Sequence, residues 1–210
     1  MSSGAGTVRS GAGRGGGTKG VPRADRESQI VSVAVDEFAD RGYAGASMVD
    51  IAARAGISKP LIYQYFGSKD GLYLVCLHQV ANALLNRLEP EWQREDESVA
   101  YRLTVLQAFF EALEPQRKAW RLLYDPSMPE TGEIAEVAQS YRDRTAEVAS
   151  SGSARFLQAR GHDDPDDASA LSAVWMGLVD ALVMWWVEHP GESAAQMTAR
   201  CARLMAAIAQ

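Results

Sequence analysis

The sequence predicts an all-α protein of about nine helices, a small N-terminal three-helix unit followed by a larger helical body. Three observations carry this. From Arg23 onward apolar residues recur at helical spacing almost without a break. Helix-start and helix-stop residues fall between the apolar stripes at plausible intervals. No segment shows sustained strand alternation bounded by turn chemistry.

The elements follow in order. Ile30, Val31, Ala34, Val35 and Phe38 form the stripe of a first amphipathic helix, which stops at Arg41-Gly42. Ser47 is placed to cap a short second helix carrying Met48, Ile51 and Ala52 inward, closed by Gly56. Ser58 is placed to cap a short third helix, with Pro60 tolerated in its first turn. Ser68 opens a long fourth helix towards Leu88, ahead of Glu89-Pro90. Helical patterns continue near residues 98–114, 116–124 and 134–160. Asp163-Asp164-Pro165 starts another long helix to about Glu188, and after His189-Pro190-Gly191 a last one runs from Ser193 to Ala209.

Residues 1–22 hold eight glycines, no aromatic residue, and Arg9, Arg14 and Lys19 as their only charges. Such a segment buries too little surface to offset its ordering entropy and is expected to be a disordered tail. It has no apolar h-region, so no secretory signal is expected. The longest late apolar run, Leu178 to Val187, is interrupted by Asp180 and falls short of a membrane span. Cys76 and Cys201 lie far apart in helical contexts, as expected for reduced, buried thiols of a cytoplasmic protein. The net charge of −6 is unevenly spread. Residues 1–80 carry 9 Lys/Arg against 7 Asp/Glu, and residues 81–210 carry 12 against 20. A mildly basic head on an acidic body is compatible with a nucleic-acid partner, because phosphate attraction depends on the local face.

The informative stretch is Ser47–Tyr73, SMVDIAARAGISKPLIYQYFGSKDGLY. Two short helices joined by Ala55-Gly56-Ile57 give a helix-turn-helix spacing. Ala52 is small enough for close helix approach, and Gly56 supplies the positive φ that a tight interhelical turn demands. Ile51, Ile57 and Ile62 lock the second helix on the first. As a block this segment resembles the DNA-binding signature of the TetR family. The carrying residues are a capping Ser47, the aromatic run Tyr63-Gln64-Tyr65-Phe66, and Ser68-Lys69-Asp70-Gly71-Leu72-Tyr73. The strong likeness spans about Arg26 to Leu77; the remainder shares only a helical layout.

The resemblance implies a DNA-binding head at residues 23–72 and a ligand-binding, dimerising body at residues 73–210. It implies DNA contacts from Ser47, Ser58, Lys59, Pro60, Leu61, Tyr63, Gln64, Tyr65 and Lys69. Lys59 and Gln64 suit base edges or phosphates. Lys69, with the helix start beside it, suits a phosphate. Pro60-Leu61-Ile62 is more apolar than many family recognition helices and points to van der Waals contacts, thymine methyls among them. Phe66 and Tyr73 are expected in the core.

The body holds all five tryptophans, and an effector pocket between its helices is expected from Phe109, Phe110, Trp120, Tyr124, Trp175, Met176, Asp180 and Met184. Asp180, alone in an apolar run, needs a partner if buried. The last two helices carry a small-residue row, Ala168, Ala170, Ala173, Gly177 and Ala181, and an apolar face, Met197, Cys201, Leu204, Met205 and Ile208. The resemblance reads these as the homodimer element. Its partners would be a palindromic double-stranded DNA operator and a small, largely apolar effector, with no membrane, cofactor or metal. The expected function is a repressor released by its effector. The competing reading is a helical adaptor without specific DNA binding. An enzyme finds little support: His78, His162 and His189 are scattered, and Asp163–Asp167 lacks the spacing of a Ca²⁺ loop.

Overall fold

The computed structural model describes residues 22–92, 94 and 98–208; the expected tail lies, apart from Pro22, outside the described residues. Among them there are nine α-helices, one 3-10 segment and no strand. The helices are α1 (Arg23–Gly45), α2 (Met48–Arg54), α3 (Lys59–Phe66), α4 (Lys69–Trp92), α5 (Val99–Leu113), α6 (Trp120–Leu123), α7 (Glu133–Gln158), α8 (Pro165–Val187) and α9 (Ala194–Ile208). The 3-10 segment, Glu114–Ala119, leads into α6.

The α1 stripe is buried as its period requires: Ile30, Ala34 and Val35 are fully buried and Phe38 nearly so. It meets Ile51 of α2, Ile62 of α3 and Leu72, Tyr73 and Leu77 of α4 in one continuous apolar cluster. That cluster runs without a break into the body through Phe110, Trp120, Trp186 and Met197. Head and body therefore share a core, and α4 passes straight through the boundary expected between residues 72 and 73.

Three local expectations need correction. α1 does not stop at Gly42: Gly42 breaks it with φ 69° and ψ 170°, and the chain resumes a last turn to Gly45. α4 does not end at Leu88 but carries Pro90 inside its final turn. Only two residues follow that proline, so little of the helix can be distorted. Ser58 occupies the N-cap of α3, yet its side chain makes no capping bond; its carbonyl accepts from the Leu61 and Ile62 amides instead. Ser47 and Ser68 do cap, accepting from the Asp50 amide at 3.4 Å and the Gly71 amide at 3.0 Å. Asp164 caps α8 through the Asp166 amide at 2.9 Å.

α8 is, among the described residues, the one helix long and apolar enough to cross a membrane, with mean hydropathy 1.7. An unbroken-run criterion passes it over because Asp180 interrupts it. It packs along α7, and little of it is buried within the single chain. Cys76 and Cys201 are free and buried.

Two turns test how the head is held. Gly56 (φ 68°) has open space where a Cβ would stand. A Cβ on Gly42 would meet the Ser127 hydroxyl at 2.5 Å and an Asp125 carboxylate oxygen at 3.1 Å. Gly56→Ala should cost about 1–2 kcal/mol, the penalty for a left-handed L-residue. Gly42→Ala should cost about 2–4 kcal/mol, because overpacking against the body adds to it. Urea denaturation checks this, and equal costs would mean that the Gly42 contact yields freely.

Candidate nucleic-acid interface and body cavity

The turn Ala55-Gly56-Ile57 holds α3 against α2 by burying Ile51, Ala52, Ala55 and Ile62 together. With Ile62 and Phe66 turned inward, the other side of α3 faces solvent: Ser58, Lys59, Pro60, Tyr63 and Gln64 are exposed, and Leu61 and Tyr65 are half-buried. Ser47 is half-buried at the start of α2. Seven of the nine residues expected to touch DNA thus lie along α3 and its N-cap, with Ser47 and Lys69 at the starts of α2 and α4.

Lys69 is already engaged within the head. Its ammonium donates to the Ala44 carbonyl at 3.2 Å and stands 4.7 Å from the centre of the Tyr43 ring. Arg23, which the sequence did not single out, places its guanidinium 5.1 Å from the Tyr65 ring centre and adds a charge beside α3. A buried carboxylate braces the head from behind. Glu37 is 2% exposed, accepts from Arg54 at 2.8 Å and pairs with Arg41 at 3.0 Å. It ties α1 to the end of α2.

A second carboxylate ties the head to the body. Asp125, 8% exposed, follows α6. It accepts from the Tyr43 amide at 2.5 Å and the Tyr73 hydroxyl at 3.3 Å, and from the amide and hydroxyl of Ser127 at 2.8 and 2.7 Å. The Ser127 hydroxyl oxygen also accepts from the Ala44 amide at 3.1 Å. Burial, then the adjacent Asp125 charge, push the Tyr73 phenol above its ordinary range. The Tyr43 hydroxyl donates to Asp70 at 2.6 Å; that bond, then burial, push its phenol up to about 12, so it stays a neutral donor. A second attachment lies along α1, where Gln116 donates to the Ser32 carbonyl at 2.8 Å and Lys118 to Asp40 at 2.7 Å.

The body contains a cavity of about 200 Å³ walled by α4, α5, α6, α7 and α8. Of the eight pocket candidates, Phe109, Trp120, Trp175 and Met176 line it. Phe110, Tyr124, Asp180 and Met184 do not. Phe110 is fully buried and turns to the other side of α5, its ring centre 5.3 Å from that of Trp186. Asp180 accepts from the Trp120 indole at 2.9 Å, which gives the lone acid of the α8 run its partner. Tyr124 packs on the outside of Trp120, their ring centres 4.9 Å apart. Met184 is half-buried against the core. Sequence reading missed the α4 and α7 walls, where Leu84, Leu88, Gly152 and Ser153 stand.

The clasp makes a measurable claim about stability. Asp125→Ala removes the acceptor of four donors, of which the Tyr73 hydroxyl keeps the Leu122 carbonyl at 3.1 Å, and should cost about 2–4 kcal/mol at roughly 1–3 per orphaned group after partial relaxation. Amide hydrogen exchange at Tyr43 should accelerate with it. Unchanged protection at Tyr43 would show that the clasp does not hold the head.

Comparison with known proteins places this geometry. Residues 30–76 match the family model of bacterial regulatory proteins of the tetR family. Over 113 residues the chain is 35% identical to the HTH-type transcriptional activator FasR of Mycolicibacterium smegmatis, covering 53% of this chain and 52% of that protein. The chain spans about half the length of the curated relatives it matches first. Among solved structures, a TetR-like transcriptional regulator from a Rhodococcus species is 30% identical, covering 76% of this chain and 98% of that one, with a TM-score of 0.53. The regulator FadR of Bacillus subtilis, in complex with stearoyl-CoA, shares the fold at 17% identity, 82% and 91% coverage and a TM-score of 0.61. A helix-turn-helix head sealed onto a helical body, matched in sequence across the head and in fold across most of the chain, makes this chain a member of the TetR family of transcriptional regulators.

Proposed function

We propose that the protein acts in the cytoplasm as a homodimeric repressor that binds a palindromic operator and is released when a small, largely apolar effector fills the body cavity. The observation that carries the reading is the solvent-facing side of α3, where Lys59, Pro60, Leu61, Tyr63 and Gln64 are presented by a helix whose opposite side is locked into the core. The N-terminal residues of such a helix meet base edges in the major groove. Ser47, Ser58, Tyr65 and Lys69 hold phosphates and set the register without reading sequence. Residues 23–72 act as the reader and residues 73–210 as sensor and dimer element, joined through α4.

The dimer reading rests on the outer side of α8 and α9. Ala170, Ala173, Gly177 and Ala181 are exposed there, as are Val174 (66%), Leu178 (39%) and Leu204 (47%). The small residues admit a second helix closely, as a two-fold four-helix seam requires. A lipid surface suits α8 poorly, because a carboxylate such as Asp180 at mid-span costs about 2.5–3.5 kcal/mol.

Release requires that the effector prefer the off-DNA arrangement, and linkage then obliges DNA to weaken the effector equally. Trp120 is the natural relay. It lines the cavity, donates to Asp180 of α8, and packs on Tyr124, next in chain to the Asp125 clasp on the head. Activation is the second reading, favoured by the likeness to FasR, a transcriptional activator. A promoter reporter decides between them by the sign of its response.

Selection of genomic fragments by the purified protein, followed by titration of the recovered site at fixed salt, tests the reader. One palindromic site is expected. Lys59→Ala should weaken it by about 1–3 kcal/mol while affecting random DNA less. Lys69→Ala should weaken both alike and flatten the salt slope by about one. Sequence-blind binding alone would retire the operator reading in favour of the adaptor.

Val174→Asp combined with Leu204→Asp tests the seam. The expected result is a folded monomer by sedimentation and circular dichroism, with operator affinity down by about a hundredfold as bivalency is lost. A dimer that survives both charges would place the interface elsewhere.

A further inference from the structure

The cavity wall carries more information than its apolarity, and what it says about the effector rests on reading the cavity as the effector site. Two of its residues, Arg102 and Arg155, are cationic, and none is acidic. The Arg102 guanidinium stacks 4.0 Å from the Phe156 ring centre, with Arg160 3.6 Å from the same ring.

Two neutral donors stand in the same wall. Ser153 is 1% exposed, and its hydroxyl has no hydrogen-bond partner; the indole nitrogen of Trp175 is likewise buried and unpartnered. Two other body tryptophans are not left so. Trp120 donates to Asp180 at 2.9 Å and Trp186 to the Glu192 carbonyl at 2.8 Å. An indole nitrogen can only donate. A buried donor with nothing to donate to is costly, and an arriving acceptor recovers that cost. The two orphans sit on facing helices, α7 and α8, beside one cavity.

We infer that the effector is a compact apolar molecule bearing an oxygen acceptor, which takes hydrogen bonds from Ser153 and Trp175. The size follows from the volume. An apolar cavity of about 150 Å³ admits benzene, so one of about 200 Å³ suits roughly ten non-hydrogen atoms. The polarity follows from the two orphans, because an indole N–H can only donate and an ammonium group, having no lone pair, cannot accept from it. A carbonyl and a carboxylate share this chemistry.

The test uses the full chain and four probes matched in size at about ten non-hydrogen atoms: 2-nonanone, octanoate, nonylamine and decane, titrated by calorimetry. The ketone, the acid or both should bind at least about tenfold more tightly than the amine and the alkane, as one to two recovered hydrogen bonds require. Ser153→Ala and Trp175→Phe should each reduce that preference by about fivefold while leaving decane affinity unchanged. Retained decane binding shows that the variants still fold and keep the cavity. Which of ketone and acid binds tighter identifies a neutral or an ionised acceptor, and either result supports the inference. An amine that binds as well as the ketone overturns it, as does a ketone-to-decane ratio that both variants leave intact. If decane binds with no preference for the ketone or acid, the cavity reading stands and the acceptor inference falls. If none of the four binds, both fall.

Discussion

The orientation of the reading helix depends on one buried carboxylate meeting one irregular turn. At Gly42 the backbone leaves the helical region, so Tyr43 and Ala44 cannot both find their amide partners within α1. Asp125 and Ser127, more than eighty residues later, take those two amides from the body side. Asp125 accepts as well from the Tyr73 hydroxyl, whose own helix is α4. Bonds to an ionised acceptor are roughly twice as strong as neutral ones. One residue thus fixes the end of α1 and the middle of the head–body junction at the same point. The glycine is needed on both sides of this contact, to take the left-handed turn and to let the Ser127 hydroxyl approach. Without it the head would still form from its own apolar cluster, but the end of α1 would lose its polar hold on the body.

That angle is what a dimeric reader has to control, since two heads must fall on successive major grooves. The polar attachments are spread along one side of α1: Gln116 on Ser32, Lys118 on Asp40, and the Asp125 clasp at its end. All three come from a single stretch of the body, Glu114 to Ser127, which includes the cavity wall at Trp120. The same stretch grips the far end of the body, where Glu114 accepts from the Ala194 amide at the start of α9 and Arg117 donates to the His189 and Pro190 carbonyls. A short segment built from a 3-10 turn and one helical turn is easier to repack than a long helix. It touches cavity, head and α9 together.

The head was legible in the sequence because its determinants are local. Ile51, Ala52, Gly56 and Ile62 lie within twelve positions, and each is fixed by the helix period or by one turn. The clasp was not legible. Asp125 reads as a loop acid, and nothing near it in the chain announces a partner eighty residues away. Glu37 was hidden for a different reason. It sits on the buried side of an apolar stripe, where a search for hydrophobic period counts a charged residue as an interruption, whereas Arg41 and Arg54 make it a brace. The cavity was half legible. Large aromatic residues are its markers in the sequence, yet Phe110 fills space instead of lining it, and Tyr124 lies outside. The walls that open the space are made by small residues of α7, Ala149, Gly152 and Ser153. A void is marked by missing side chains, which composition does not draw attention to.

α8 carries the last constraint. Its Trp175, Met176 and Val179 face the cavity, while Val174, Gly177, Leu178 and Ala181 face outward. Successive residues are 100° apart on a helix, so these two faces adjoin, and one helix's width separates the cavity from the proposed seam. Protein interiors are packed too densely for a wall to absorb an added molecule silently. On the proposed dimer, an occupant that displaces α8 outward presses on its copy across the two-fold axis, and one that displaces Trp120 loosens the anchor of the Asp125 clasp. The first alters the distance between heads and the second their angle. Operator affinity is sensitive to both, so a modest change at each suffices where a large change at one would be required.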